Sequence, residues 1–169
     1  MTQTGYPFEF IGSNTVGADK YLLQTFVYVF KSQKSGHRYQ VNIEQYAEHL
    51  CGVKFFDLTT DIRIGKFSNL SATYEPRTLF RTVADIALDV YRRDPLSSFF
   101  FIGAADSRDR SSVSTRRYRV YMAFVNDLNL SGLFRIIEMK DQSMSVLVNR
   151  KAVPDVDAFM QRIVEFVMD

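Results

Sequence analysis

The stretch EPRTLFRTVADIALDVYRRDPLSSFFFIGA, residues 75–104, places two hydrophobic periods back to back, and the change between them sets the class of fold. From Pro76 onward Leu79, Val83, Ile86, Ala87 and Val90 fall at i, i+4, i+7, i+8 and i+11, one stripe of an amphipathic helix, while Arg81, Asp85, Asp89 and Arg92 face away. Proline suits the first helical turn, where its missing N–H costs nothing, and Pro95 stops the helix just beyond YRRD (91–94). The run that follows, SSFFFIGA (97–104), is apolar throughout and too short for another helix. It reads as a central strand.

Upstream, the period is two. YLLQTFVYVFK (21–31) is rich in β-branched and aromatic residues, and SQKSGH (32–37) supplies turn chemistry. In RYQVNIEQY (38–46), Tyr39, Val41 and Ile43 alternate with Arg38, Gln40, Asn42 and Glu44. Together these runs predict an antiparallel hairpin, with VKFFDLTTDI (53–62) as a third strand and GKFSNLSATYEP (65–76) as a loop. Residues 1–20 mix Gly, Ser, Thr and Asn around YPFEFIG and are expected to form an irregular N-terminal arm with one docking point.

Downstream, Tyr118, Tyr121, Met122, Val125 and Leu128 mark a second helix that starts near Ser114 and ends before Gly132. FRIIEM (134–139) and MSVLVNR (144–150) flank KDQS as another hairpin. VPDVDAFMQRIVEFVMD (153–169) closes with an amphipathic helix carrying Val156, Phe159, Ile163 and Phe166 on one side. The predicted order is β-β-β-α-β-α-β-β-α. It describes an α+β fold, a mostly antiparallel sheet of about six strands with three helices packed on it. No internal repeat, low-complexity tract or Pro/Gly/Ser-rich linker divides the 169 residues, so 1–169 are expected to form a single domain.

Apolar residues make up 46% of the chain and aromatic residues 14%, too many for a disordered segment. Cys51 is the single cysteine, which excludes an intrachain disulfide framework and fits a reducing compartment. No apolar run approaches the roughly 18–20 residues that span a bilayer. MTQTGYPFEFIGSN (1–14) lacks the basic start and apolar middle of a signal peptide. A soluble cytoplasmic protein with no membrane partner is the expectation.

Net charge is +2, but its distribution is uneven. Residues 107–119 hold five arginines (Arg108, Arg110, Arg116, Arg117, Arg119) against one acid, Asp109, whereas the remainder holds sixteen basic and eighteen acidic residues. One segment therefore gives the molecule its positive sign. Arginine outnumbers lysine fourteen to seven, which favours planar contacts with oxyanions, although base composition of the genome gives the same ratio. The burst lies where the 97–104 strand hands over to the second helix. Cations are disfavoured at a helix N-terminus, so an anion there would offset the repulsion. Arg108, Arg110, Ser112, Ser114, Thr115, Arg116, Arg117 and Arg119 are the candidate anion-binding residues, with Ser111 beside them. Two plainer readings stand next to this one: Asp106 and Asp109 neutralise the arginines, or the loop is a solvated face. Tyr118 and Tyr121 could stack on bases, but their helical spacing fits core residues, and Arg117 could lie over the Tyr121 ring at i, i+4. The glycine spacing of a phosphate-binding loop is missing, since Gly103 stands alone there.

Other chemistry is thinly represented. His37 and His49 are the only histidines, and His49 with Cys51 has no third or fourth ligand in sequence for a metal. A Cys51–His dyad is formally available, as are the carboxylate pairs Asp57/Asp61, with Lys66 nearby, and Asp85/Asp89. At these spacings they read as packing, a strand end and a solvated helix face. No catalytic residue, metal or cofactor is assigned.

The segment 75–107, followed by STRRYRVYMAFV (114–125) and VLVNRK (146–151), resembles a family of small bacterial proteins to which no activity is assigned. The shared features are a helix ending at x-P (Pro95), an F-x-F-I-G-A strand (Phe99 to Ala104), an [ST]-x-R-x-R-x-Y segment (Thr115 to Tyr121) and a late strand ending N-R (Asn149, Arg150). RYQVNIEQY and KFFDLTT fit as well, so the resemblance covers roughly residues 25–151. It implies a shared fold and points to Arg117, Arg119 and Tyr121.

Three functional readings remain open. The first is a binding protein whose 107–119 segment contacts phosphate groups of nucleic acid or a nucleotide: Arg116, Arg117 and Arg119 would pair with phosphate, and Ser112, Ser114 and Thr115 would donate hydroxyls. The second is a protein-interaction module or homo-oligomer that docks the same arginines on an acidic partner. The third is a transferase-like enzyme with a phosphate-cradling loop, for which no base or nucleophile is legible.

Overall fold

A computed structural model describes residues 5–15, 20–59, 75–103, 109–111 and 113–167. Seven strands and three α-helices are formed among the described residues: β1 (Phe8–Asn14), β2 (Leu22–Lys31), β3 (Arg38–Tyr46), β4 (Leu50–Asp57), α1 (Pro76–Arg93), β5 (Ser98–Ile102), α2 (Arg116–Asp127), β6 (Phe134–Met139), β7 (Met144–Asn149) and α3 (Val156–Val167). The strands make one sheet in the order β1-β2-β3-β4-β5-β7-β6. Among the described residues, β4 with β5 is the one parallel pairing, and α1 lies in the long connection that such a pair needs. The class is α+β with a mostly antiparallel sheet, of seven strands rather than six.

The additional strand is β1, which comes from within the 1–20 segment expected to be irregular. Phe8 pairs with Phe30 and Phe10 with Tyr28, and the Phe10 ring lies 5.1 Å from the Tyr28 ring. The register then slips at Gly12, whose φ of 151° is one that L side chains rarely adopt. That bulge breaks the alternation of period two, which is why the strand is hard to see in the sequence. Tyr6 donates its amide to Thr82 Oγ1 at 2.8 Å and its hydroxyl to Glu75 Oε2 at 2.6 Å, tying the arm to α1.

The third predicted strand starts earlier than expected, at Leu50 instead of residue 53, and its residues 60–62 lie outside the described residues. The turn that feeds it, Ala47–His49, contains neither glycine nor proline. Glu48 and His49 take the left-handed conformation themselves, with φ of 59° and 60°. The expected 65–76 loop falls, as far as residue 74, outside the described residues.

Both faces of the sheet are covered. On one, Tyr28, Tyr39, Ile43, Phe55 and Phe99 pack with Leu79, Ile86 and Val90 of α1 and Val125 of α2. On the other, Phe100, Val146 and Val148 pack with Phe159 and Ile163 of α3. Strand β5 sends Phe99 to the first core and Phe100 to the second, which explains its unbroken apolar run. Along α1, Arg81 pairs with Asp85 at 3.1 Å and Arg93 with Asp89 at 3.4 Å, and Arg81, expected to face away from the core, instead borders the cavity between the sheet and the helices. Among the described residues, no helix is long and apolar enough to cross a membrane.

Candidate functional site

The arginine-rich segment is built around the junction between β5 and α2. Thr115 caps the helix, its Oγ1 accepting from the Tyr118 amide at 3.2 Å and donating to the Gly103 carbonyl. The Thr115 amide donates to Ser143 Oγ, and the Gly103 amide to the Ser143 carbonyl, each at 2.9 Å. Ser114 takes a left-handed φ of 46° and donates its amide to Lys140. Asp109 Oδ1 accepts from the Arg116 amide at 3.0 Å. Two first-turn amides that could hold an anion are thus already met by protein oxygens.

The candidate residues separate. Arg108 and Ser112 lie outside the described residues. Arg110, Arg116 and Arg119 are exposed, and Arg119 Nη1 folds back to donate to the Ser114 carbonyl. Ser114 is half-buried and Thr115 fully buried, its hydroxyl committed to the cap. Arg117 is the different one. Its side chain is half-buried, and its Nη2 is cut off from solvent with no hydrogen-bond partner. Tyr118 is core, with its hydroxyl donating to Glu138 Oε1 at 2.7 Å.

Arg117 lies on the wall of a cavity of about 580 Å³ between the sheet and helices α1 and α2. The wall is overwhelmingly apolar and rich in aromatic rings: Phe55, Phe80, Phe101, Tyr121 and Phe124 contribute, and Ala87 of α1 also lines it. The Tyr121 ring sits 5.0 Å from Phe80 and 5.5 Å from Phe101, both edge-on. Burial pushes the Tyr121 phenol up to about 12, although the neighbouring Arg117 charge pulls it partly back. Three cations border the cavity. Lys54 Nζ meets Glu44 Oε1 at 2.5 Å, and Arg81 Nε, itself shielded from solvent and without a hydrogen bond, has the Asp85 carboxylate as its counter-charge at 3.1 Å, whereas Arg117 meets no carboxylate among the described residues. The guanidinium is not seated over Tyr121; the described cation–ring contacts are Arg93 over Phe10 and Lys20 over Tyr21.

The remaining candidates are engaged elsewhere. His37 Nδ1 is 2.7 Å from Asp57 Oδ2, and His49 Nδ1 binds Asp94. Cys51 is buried, its thiol pushed up to about 12, first by loss of solvent. Asp85 and Asp89 each pair with an arginine of α1. Asp61 and Lys66 lie outside the described residues.

A signal for Arg117 exists in the sequence. It precedes Tyr121, Val125 and Leu128 by four, eight and eleven positions, so it extends the apolar stripe of α2 inward while Arg116 and Arg119 lie off it. The cavity itself has no such signal, because it is a gap between β4, β5, α1 and α2 and not a property of any one of them. No family model matches the chain, and neither a curated protein nor a solved structure does, so the roles of these residues rest on their geometry.

Proposed function

We propose that the protein is a binding protein for an anion-bearing small ligand, contacted by Arg117 in the first turn of α2. The supporting observation is the Arg117 Nη2, shielded from solvent without a partner. An unsatisfied buried donor costs on the order of 1–3 kcal/mol, and more when charged, so an oxyanion that the guanidinium meets by turning its shielded Nη2 toward the cavity would remove a real penalty. Exposed Arg110, Arg116 and Arg119 add positive potential around the site and raise the local concentration of anions. The hydroxyl of Thr115 is engaged in capping and takes no part in this reading.

A second reading, contact with the phosphates of nucleic acid, is favoured by the exposure of Arg110, Arg116 and Arg119 along one short segment. Fluorescence polarisation with a labelled single-stranded oligonucleotide, competed by a nucleoside monophosphate and by decanoate at several salt concentrations, tests both. Competition or direct binding of a monomeric anion that is lost in Arg117→Gln supports the first. Salt-dependent binding of the polymer alone, lost in Arg116→Gln and Arg119→Gln, replaces it with the second. Absence of saturable binding to every probe overturns both.

A further inference from the structure

We infer that the cavity beside Arg117 seats the body of the ligand, and that the ligand is an apolar monocarboxylic acid with its carboxylate in the Arg117 fork. The inference rests on the anion reading for the head group and adds the chemistry of everything behind it.

Size comes first. The half-open cavity of about 580 Å³ falls within the roughly 300–1,000 Å³ of small-molecule sites. A hollow of about 620 Å³ beside Glu48, His49 and Lys151 reaches that size too, so what distinguishes the Arg117 cavity is its lining. The wall decides the body. Phe55, Phe80, Phe101, Phe124 and the ring of Tyr121 offer dispersion contacts and edge or face packing, with no cluster of hydrogen-bonding groups to recognise a sugar or a base. A hydrocarbon chain or flat aromatic body therefore gains affinity there, and a polar one loses it.

Charge decides the head. Glu44 answers Lys54 and Asp85 answers Arg81, which leaves Arg117 as the one bordering cation without a described counter-charge. One positive charge matches a monoanion. A phosphate monoester would bring a second negative charge, and the nearby amides of Arg116 and Tyr118 are already bonded to Asp109 and Thr115. A carboxylate is also planar and can take two parallel N–H bonds from one guanidinium.

Isothermal titration of the whole chain with hexanoate, octanoate and decanoate below their micellar concentrations, and with octan-1-ol as the neutral counterpart of octanoate, tests the inference. The variants are Arg117→Gln and two that narrow the cavity from α1, Ala84→Leu and Ala87→Leu, each checked for folding by circular dichroism. The expected result is one site, with affinity rising roughly threefold to fourfold per added methylene. Arg117→Gln is expected to weaken the acids roughly tenfold or more while leaving octan-1-ol unchanged. Whichever narrowing variant folds weakens acid and alcohol together.

Three results overturn it, and they separate the head from the body. Affinity that depends on Arg117 but not on chain length, with the narrowing variants inert, removes the cavity and leaves the anion reading standing. Octan-1-ol binding as tightly as octanoate, with octanoate itself unaffected by Arg117→Gln, keeps an apolar site but removes the head-group assignment and the anion reading with it. No binding of any acid ends the inference, and the nucleotide titration then judges the anion reading alone.

Discussion

Gly103 lies directly against Tyr118 where β5 hands over to α2. A Cβ built on Gly103 would stand 2.3 Å from the Tyr118 amide nitrogen and 2.6 Å from its Cα. Backbone meets backbone there, so no side chain can swing away. The same glycine donates its amide to Ser143 and accepts the Thr115 hydroxyl, which fixes the first turn of α2 and hence Arg117. Gly103→Ala is expected to lower stability by about 3 kcal/mol or more, seen as a lower denaturant midpoint with little change in m. An unshifted midpoint would show that strand and helix do not approach this closely in solution.

Asn149 closes the other end of the same strand layer. Its Nδ2 donates to the carbonyls of Pro95 at 2.7 Å and Ser97 at 3.0 Å, and its Oδ1 accepts from the amides of Lys151 and Ala152. Asn149→Ala would leave the buried Ser97 carbonyl and the three more accessible backbone groups without these partners, and about 2 kcal/mol of stability is expected to be lost. Asn149→Asp keeps the acceptor and loses the two donated bonds, so thermal denaturation should rank both variants below the parent. Equal melting temperatures for all three would refute the assignment.

The Tyr121 phenol is pushed up to about 12 from an ordinary value of 10.0. Between those values the folded chain keeps a proton that the unfolded chain has released. The associated stability is fully present below pH 10 and lost as pH rises toward 12. Tyr121→Phe is therefore expected to lose stability less steeply over that window, measured as denaturant midpoints at several alkaline pH values. Some slope should persist, because Tyr28 and Tyr118 are shifted upward too, first by burial and then by hydrogen bonds to Asp89 and Glu138. Parallel slopes in parent and variant would place the phenol in solvent.

Cys51 is fully buried in β4, with its thiol pushed up to about 12. A thiol reagent at mildly alkaline pH is expected to leave the native protein untouched and to react at the rate of unfolding. Labelling that outpaces global unfolding would show that this part of the sheet opens locally.

Much of the architecture is legible because its signals are local. In α1, Pro76, the stripe through Leu79, Ile86 and Val90, and Pro95 fall within twenty consecutive residues, and the helix spans Pro76–Arg93. The turn at Ala47–His49 is illegible for the opposite reason. Its left-handed residues are held by distant partners: Glu48 by Arg162 of α3, and His49 by Asp94 beyond α1. Strand β1 is hidden because the bulge at Gly12 shifts its register partway along, so Ile11 breaks the alternation begun by Phe8 and Phe10.

By itself, then, the sequence determined the α+β class, both hairpins, the three helices and the segment that carries the positive charge. Each of these follows from periodicity, punctuation or composition within a short window. Tertiary structure alone decided that β7 inserts between β5 and β6, that β4 and β5 run parallel, and that Arg117 turns into a cavity while Arg110, Arg116 and Arg119 face solvent. Those outcomes depend on how faces from different elements meet. A cavity in particular is the space that a strand pair and two helices fail to fill together, and no one of them encodes it.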